Sequence, residues 1–216
     1  MIISHGRKFI FVHIPKTGGT SLALALESKA MKDDILIGDT PKARNRRKRL
    51  KGLQVSGRLW KHSRLNDIYG LVDQAQIETY FVFTLVRNPW DRMVSYYHWL
   101  REQAFDHPAV RLAKQLDFSS FLNDPVNVAA SRGDTSSHYL YDQNGVDRCN
   151  LYLRLEHLPK DLPPLEAALG IKLPLIPREN QSKRSSDFRP YYNAQDVRLI
   201  ARIYAPDIAK FGYQFD

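Results

Sequence analysis

Cysteine is nearly absent from this chain of 216 residues, which contains only Cys149. A single thiol excludes an internal disulfide framework and any zinc site made of several cysteines. Such a low cysteine content is also typical of proteins from a reducing compartment. We therefore expect a cytoplasmic protein.

Long apolar runs are absent as well. A helix that crosses a bilayer needs about 20 apolar residues, whereas the longest apolar runs here, residues 9–12 and 80–86, have the length of strands. The apolar stretch near the start is not followed by a small-residue cleavage site, so we predict no secretory signal. We expect no membrane span.

Acidic residues are few relative to basic ones, with 23 Asp and Glu against 32 Lys and Arg and a net charge of +9. Seven of the nine excess positive charges lie in residues 42–51, which contain no acid and which we name the basic block. The block is either a solvated loop or helix face, or a surface for nucleic acid or another polyanion. We expect no specific nucleic acid partner.

Two segments of the chain repeat the order strand, loop, helix. Residues 8–14 are aromatic and β-branched, which predicts a buried strand, and a helix follows over residues 21–29. Residues 80–86 predict a second buried strand. Asn88 and Pro89 are suited to the start of the helix that follows it.

This order predicts an α/β protein with a parallel β-sheet flanked by helices, folded as a single domain over residues 1–216. Residues 151–155 are a further strand candidate, and residues 158–169 predict a helix that Pro163 and Pro164 interrupt. In such sheets the carboxyl ends of the strands lie at one edge, where ligands bind.

The loop after the first strand has the composition of an anion site. It combines a lysine, three hydroxyl side chains and two glycines at the start of a helix: Lys16, Thr17, Gly18, Gly19, Thr20 and Ser21. Glycines let backbone amides face an anion closely, and the helix N-terminus adds partial positive charge. The loop therefore predicts a phosphate cradle with a strand–loop–helix arrangement like that of P-loop proteins.

The order of residues in the loop differs from that of nucleoside-triphosphate loops. There the lysine follows the glycines, whereas Lys16 precedes Gly18 and Gly19. The second strand ends at Arg87, where a Mg²⁺-dependent enzyme would often carry an aspartate. A nucleotide kinase-like phosphotransferase is therefore disfavoured but stays an alternative.

The second strand is followed by another group of candidate anion ligands. Arg87 can bind a phosphate through two hydrogen bonds, and Ser95 lies two helical turns further on. The two residues predict a second phosphate site. Arg92 lies between them and either joins that site or pairs with Asp91 or another acid.

Together these segments resemble a known family. Residues 15–21 (PKTGGTS) and 87–97 (RNPWDRMVSYY) resemble the two cofactor signatures of sulfotransferases that use 3′-phosphoadenylyl sulfate (PAPS). The resemblance is greatest to the carbohydrate branch, which includes heparan 2-O- and chondroitin sulfotransferases, and to its bacterial-type members. The segments 180–184 and 203–207 of the tail resemble that branch too.

The resemblance implies a role for each candidate. Residues 16–21 would bind the 5′-phosphosulfate, with Lys16 as a catalytic residue at the bridging oxygen, and adenosine 3′,5′-bisphosphate (PAP) would be the product. Arg87 and Ser95 would bind the 3′-phosphate. Lys183 and Arg184 would support that phosphate or an anionic acceptor, or form a solvated loop. No metal is expected.

The resemblance implies an acceptor hydroxyl on a glycan or glycoconjugate, and this hydroxyl must lose a proton to a base. Residues 53–59 are a further strand candidate, and His62 follows them. Its position resembles that of the catalytic histidine of the 2-O branch, and imidazole suits general-base work. His138, His98 and Glu102 are the alternatives, and His13 is expected to pack at the strand end. A non-enzymatic polyanion-binding module led by the basic block is the remaining alternative.

Overall fold

The computed structural model describes residues 1–176 and 184–216. These residues form one sheet of five strands in the order β3-β1-β2-β4-β5. The strands are β1 (Ile2–Ser4), β2 (Phe9–Val12), β3 (Ile35–Leu36), β4 (Phe81–Val86) and β5 (Leu151–Arg154).

The helices of the described residues are mostly short. They are α1 (Gly19–Ser28), α2 (Pro41–Arg46), α3 (Gln74–Thr79), α4 (Pro89–Arg101), α5 (Pro108–Gln115), α6 (Phe118–Asn123), α7 (Pro125–Arg132), α8 (Ser136–Leu140), α9 (Leu158–Leu169), α10 (Ala194–Ile203) and α11 (Ala205–Phe211). Short 3₁₀ turns cover Arg47–Leu50, Leu65–Ile68, Leu155–His157 and Arg189–Tyr191.

The chain divides into two compact units. Of the described residues, the sheet unit comprises 1–86 and 136–176, and the helical unit comprises 87–135 and 184–216. The sheet and helices α1, α2, α3, α8 and α9 belong to the first unit. Helices α4, α5, α6, α7, α10 and α11 belong to the second.

The sheet is mixed rather than wholly parallel. Strands β2, β4 and β5 pair in parallel, which confirms the α/β fold predicted from the strand–loop–helix segments. Strands β1 and β3 add an antiparallel edge that the sequence analysis did not predict. The chain reverses within four residues after β1, and Lys8 adopts a left-handed conformation (φ 52°) that lets β2 return beside it.

The core of the sheet unit lies between the strands and the helices α1 and α9. Phe11 and Phe83 face each other on neighbouring strands with ring centroids 5.4 Å apart, and Leu22 and Leu165 pack in the same buried cluster. Each such side chain contributes about 1.5–3 kcal/mol when it leaves water. The packing fixes the ends of β2 and β4. The first anion loop starts at the end of β2.

Helix α9 is continuous, so the predicted interruption at Pro163 and Pro164 is wrong. Both prolines lie inside the helix, which ends where Gly170 adopts the left-handed conformation. The prolines remove two donors of the helix ladder, but burial of Leu165 and Leu169 in the core of the sheet unit holds the segment helical.

The helical unit has a core of its own around α4. Trp90, Tyr97, Phe121, Ile200 and Tyr204 are buried in one cluster. Helix α4 starts as predicted, with Pro89 in its first turn and the Asn88 side chain accepting a hydrogen bond from the Trp90 amide at 3.1 Å. Both signals are local, so they could be read directly from the sequence.

Candidate active site

The loop between β2 and α1 is shaped by two residues in the left-handed backbone region. Lys16 has φ 63° and Gly18 has φ 82°. This conformation costs a non-glycine residue about 1–2 kcal/mol, so Lys16 is strained and Gly18 is not. The buried Thr17 hydroxyl donates to the carbonyl of Ile14 at 2.8 Å and ties the turn together. The side chain of Thr17 is thus structural, which leaves its backbone for a ligand.

The start of α1 has the features of an anion site. Gly18 is the N-cap and provides no side-chain cap, and no acid lies in the first turn of the helix. The structure brings all six loop candidates into this single turn, with Ser21 buried and Lys16 and Thr20 half-buried. Backbone amides and a lysine around a helix N-terminus form a site suited to a phosphate or sulfate group.

Gly19 leaves room for the ring of His13. A Cβ at Gly19 would lie 2.1 Å from Cδ2 of His13, a distance that no side chain tolerates. The His13 ring is buried, stacks on Phe11 at 5.9 Å and meets the His62 ring edge-on at 4.6 Å. Burial, reinforced by the neighbouring His62, holds the pKa of His13 well below its usual range, so His13 is neutral.

His62 is held against the end of β2. Its Nδ1 lies 2.8 Å from the carbonyl oxygen of His13. A carbonyl can only accept, so Nδ1 carries the hydrogen, and in the neutral ring Nε2 is then the basic nitrogen. His13 thus contacts both the ring of His62 and Gly19 of the anion loop.

The strand predicted over residues 53–59 is wrong, because the structure describes these residues as bends and irregular backbone. The turn that carries His62 is fixed by a buried serine. The hydroxyl of Ser63 accepts a hydrogen bond from the Trp60 amide at 2.9 Å and lies within donating distance of the carbonyls of Arg58 and Trp60. The Trp60 ring meets the His62 ring edge-on at 5.0 Å. His62 is therefore oriented by contacts on two sides.

The other base candidates lie in different surroundings. His138 is exposed on α8, and Glu102 is exposed at the end of α4. His98 lies on α4 with its Nε2 buried and without a hydrogen-bond partner among the described residues. Burial, together with Arg184 and Arg101, lowers the pKa of His98.

The second anion segment forms an arginine pair around one carboxylate. Arg87 directly follows β4 and binds Asp91 through Nε at 2.8 Å and Nη2 at 2.6 Å. Arg184, whose side chain is only 7% exposed, binds the other oxygen of Asp91. Two guanidinium groups on one carboxylate leave a net positive charge, which favours an anion.

Ser95 is buried on α4, one turn beyond Asp91 and on the same face of the helix. Arg92 belongs elsewhere, because its Nη2 pairs with the Asp134 carboxylate at 2.7 Å and its Nη1 donates to the Asp134 carbonyl at 2.9 Å. Of the two options left open for Arg92, the structure thus favours pairing with an acid. Lys183 lies outside the described residues.

Asp91 holds two of the candidate residues together, although its sequence pattern assigned it no role in the site. Its link to Arg87 is an i,i+4 pair on one helix face, a spacing that could have been recognised from the sequence. Its link to Arg184 spans 93 positions, and no local pattern reveals such a pair.

Within the described ranges, no cluster of three or more His, Cys, Asp or Glu side chains could hold a metal ion. In the same ranges no helix has the length and hydropathy required to cross a membrane.

Comparisons with known proteins give the class of this chain. The model of the sulfotransferase family matches residues 1–214. The chain therefore belongs to the sulfotransferase family, which confirms the predicted class of enzyme and favours sulfuryl over phosphoryl transfer.

Among solved structures, the chain is similar to the crystal structure of mouse sulfotransferase SULT7A1 complexed with PAP, with 16% identity and a TM-score of 0.46 over 93% of this chain and 82% of that one. A search of curated proteins gave no match.

Proposed function

We propose that this sulfotransferase transfers the sulfuryl group of PAPS to a hydroxyl of a carbohydrate or glycoconjugate by in-line displacement and releases PAP. The observation that carries the proposal is the loop at the end of β2, where Lys16, the glycines and the start of α1 form one anion cradle. The proposal includes a single functional domain over residues 1–216, a cytoplasmic location and a place in the carbohydrate branch among its bacterial-type members.

The loop residues 16–21 bind the 5′-phosphosulfate in this proposal. Lys16 contributes the positive charge that stabilises the oxygen left behind when the sulfuryl group departs. Gly18 and Gly19 expose backbone amides, while Thr20 and Ser21 add hydroxyl groups. Donors that are fixed before the reaction stabilise developing charge without reorganisation, which is how such sites accelerate transfer.

The arginine pair binds the 3′-phosphate in this proposal. Asp91 holds Arg87 and Arg184 in place with its two oxygens, and Ser95 offers a hydroxyl one turn along α4. Fork-shaped guanidinium groups match the geometry of a phosphate. Lys183 follows from the family resemblance as a further ligand of this phosphate.

His62 acts as the general base in this proposal. The carbonyl of His13 selects the tautomer whose Nε2 can accept a proton from the acceptor hydroxyl. The neutral state of His13 supports this role, because a second positive charge 4.6 Å away would oppose protonation of His62 during the reaction.

Transfer of radiolabelled sulfate from PAPS to a panel of glycans and glycoconjugates tests the proposal, with calorimetric titration of PAP as a second measurement. We expect PAP to bind and at least one acceptor to be labelled. Absence of both PAP binding and transfer would refute the proposed function. Salt-dependent duplex DNA binding that survives Arg87→Ala would favour the polyanion-binding alternative.

A further inference from the structure

A cleft of about 510 Å³ lies in the sheet unit between β3, the basic block and the turn that carries His62. Its size falls in the range of sites that hold a small molecule, roughly 300–1,000 Å³. The function proposed above gives this cleft no role.

The floor of the cleft is apolar. Leu36, Ile37 and Ala43 line it and are buried, and Leu50 and Leu59 add half-buried aliphatic side chains. Trp60 forms one wall and is 41% exposed, which is unusual for the largest apolar side chain. A surface of this kind favours an apolar ring or chain over a fully hydroxylated ligand.

The rim of the cleft is basic. Arg47 and Lys51 of the basic block line it, and in the part of the chain that the structure describes neither forms an ion pair or a side-chain hydrogen bond. Lys61 also lines the cleft, but Asp39 neutralises it at 2.8 Å. The cleft thus carries two uncompensated positive charges, which complement an acidic group on a ligand.

The cleft lies beside the proposed base. Trp60 lines the cleft and also touches the ring of His62, with centroids 5.0 Å apart. A molecule that packs against Trp60 in the cleft therefore lies against a residue that contacts the proposed base. This contact is the observation that links the cleft to the acceptor side of the proposed reaction.

We propose that this cleft is the acceptor subsite and that it selects an amphipathic acid: a hydroxylated molecule that carries an apolar ring or chain together with a carboxylate or a similar anion. The apolar part lies on the Leu36–Ile37 floor against Trp60, and the anion pairs with Arg47 and Lys51. This inference rests on the proposed function, because it assigns to the cleft the acceptor of that reaction.

Three small glycosides test the apolar contact and the anion contact of the proposal separately. 4-Nitrophenyl β-D-glucuronide has both an aromatic ring and a carboxylate, 4-nitrophenyl β-D-glucoside has the ring alone, and methyl β-D-glucuronide has the carboxylate alone. In calorimetric titrations of the full chain we expect the first probe to bind about tenfold or more tightly than either of the others. Equal affinity for all three, or no binding of the first, would overturn the proposal.

Matched variants locate the binding. The pair Arg47→Ala and Lys51→Ala should weaken the aryl glucuronide about tenfold and leave the aryl glucoside unchanged, while Trp60→Ala should weaken both aryl probes. Arg44→Ala with Lys48→Ala removes the same charge from exposed positions that do not line the cleft, and it should leave the affinity for all three probes unchanged. Equal losses in the two double variants would overturn the proposal.

PAP affinity and sulfate transfer distinguish failure of this inference from failure of the proposed function. PAP affinity that stays at the wild-type value in every variant shows that the variants are folded, and it isolates the cleft from the donor site. If PAP binds and sulfate is transferred while the cleft variants bind the probes normally, this inference fails and the proposed function stands. Duplex DNA binding that both double variants weaken equally would instead identify the basic block as a polyanion surface.

Discussion

Lys16 combines the positive charge that our proposal uses in catalysis with a strained backbone. Its φ of 63° is tolerated because the hydroxyl of the next residue, Thr17, holds the turn and Gly18 after it adopts a positive φ without strain. Strained residues persist where the surrounding structure determines them, and they often mark active sites. The sequence predicted the anion loop because the lysine, hydroxyls and glycines are contiguous, but it could not reveal which residue carries the strain.

Replacement of Lys16 separates its two properties. Lys16→Ala removes the amine and keeps the strain, whereas Lys16→Gly removes both. Because the amine stabilises the departing oxygen in our proposal, we expect turnover to fall about 10²- to 10³-fold in both variants, with PAP affinity changing much less. Rapid-quench measurement of sulfate transfer and calorimetry with PAP test this. Wild-type turnover in the glycine variant would remove Lys16 from the mechanism.

His62 can be tested by a substitution that preserves its hydrogen bond. In His62→Asn the side-chain amide can still donate to the His13 carbonyl, but it cannot accept a proton from a hydroxyl. We therefore expect PAP binding to persist while turnover falls about 10²- to 10⁴-fold. A comparable loss in His138→Asn together with normal turnover in His62→Asn would transfer the base to α8.

His13 gives the stability of the protein a defined pH dependence. Its pKa is lowered in the folded state by burial, so the unfolded chain binds a proton that the folded chain does not. Stability is therefore full above the unfolded pKa of about 6.5 and falls below it, by at most about 1.4 kcal/mol per pH unit for this group. Urea unfolding at several pH values should show a shallower fall in His13→Asn. An unchanged pH slope would contradict this assignment.

At the scale of elements, those that adjacent residues determine were predicted from the sequence. Those that depend on pairing between distant residues were not. The start of α4 follows from Asn88 and Pro89, which act on adjacent residues. Strands β1 and β3 are only three and two residues long. They are defined by their pairing, β1 with β2 and β3 with β1. So few residues carry no reliable period, which is why the antiparallel edge was missed.

The β2–α1 turn can be compared with the end of α9. Gly18 and Gly170 both have positive φ, but a Cβ at Gly18 would lie 2.8 Å from Leu155 Cδ1, whereas nothing lies within 4 Å of one at Gly170. Gly170→Ala should cost about 1–2 kcal/mol in the free energy of unfolding from backbone strain alone. Gly18→Ala should cost about 1 kcal/mol more because Leu155 must move. Denaturant unfolding of both variants measures the difference.

The two glycine variants should also differ in ligand binding. Gly18 belongs to the proposed cradle, so its alanine variant should lose PAP affinity at a temperature where it remains folded. Gly170 terminates α9 and is part of no proposed site, so its alanine variant should bind PAP normally. Equal PAP affinity in the two variants would show that Gly18 serves the fold alone.

At the scale of the whole molecule, each unit has its own core and carries one of the two sequence signatures. The sheet unit contains the loop with Lys16, and the helical unit contains the arginine pair around Asp91. The signatures could be recognised from the sequence because each is continuous. The contacts that orient their side chains, such as His13 with His62 or Asp91 with Arg184, join distant positions and required the structure.

The charge of the transferred group leads to a prediction for the whole enzyme. A transferring sulfuryl group carries less negative charge than a γ-phosphoryl group, so a lysine and aligned amides can balance it where phosphoryl transfer recruits Mg²⁺. We therefore expect turnover with PAPS to stay within about twofold of its starting value after dialysis against EDTA, and added Mg²⁺ to change it no further. The kinase-like alternative requires the opposite: loss of turnover with EDTA, recovery with Mg²⁺, and transfer from ATP rather than PAPS. Measuring both donors in both buffers decides between them, and a Mg²⁺-dependent rate with PAPS would show that Lys16 and the loop amides do not suffice.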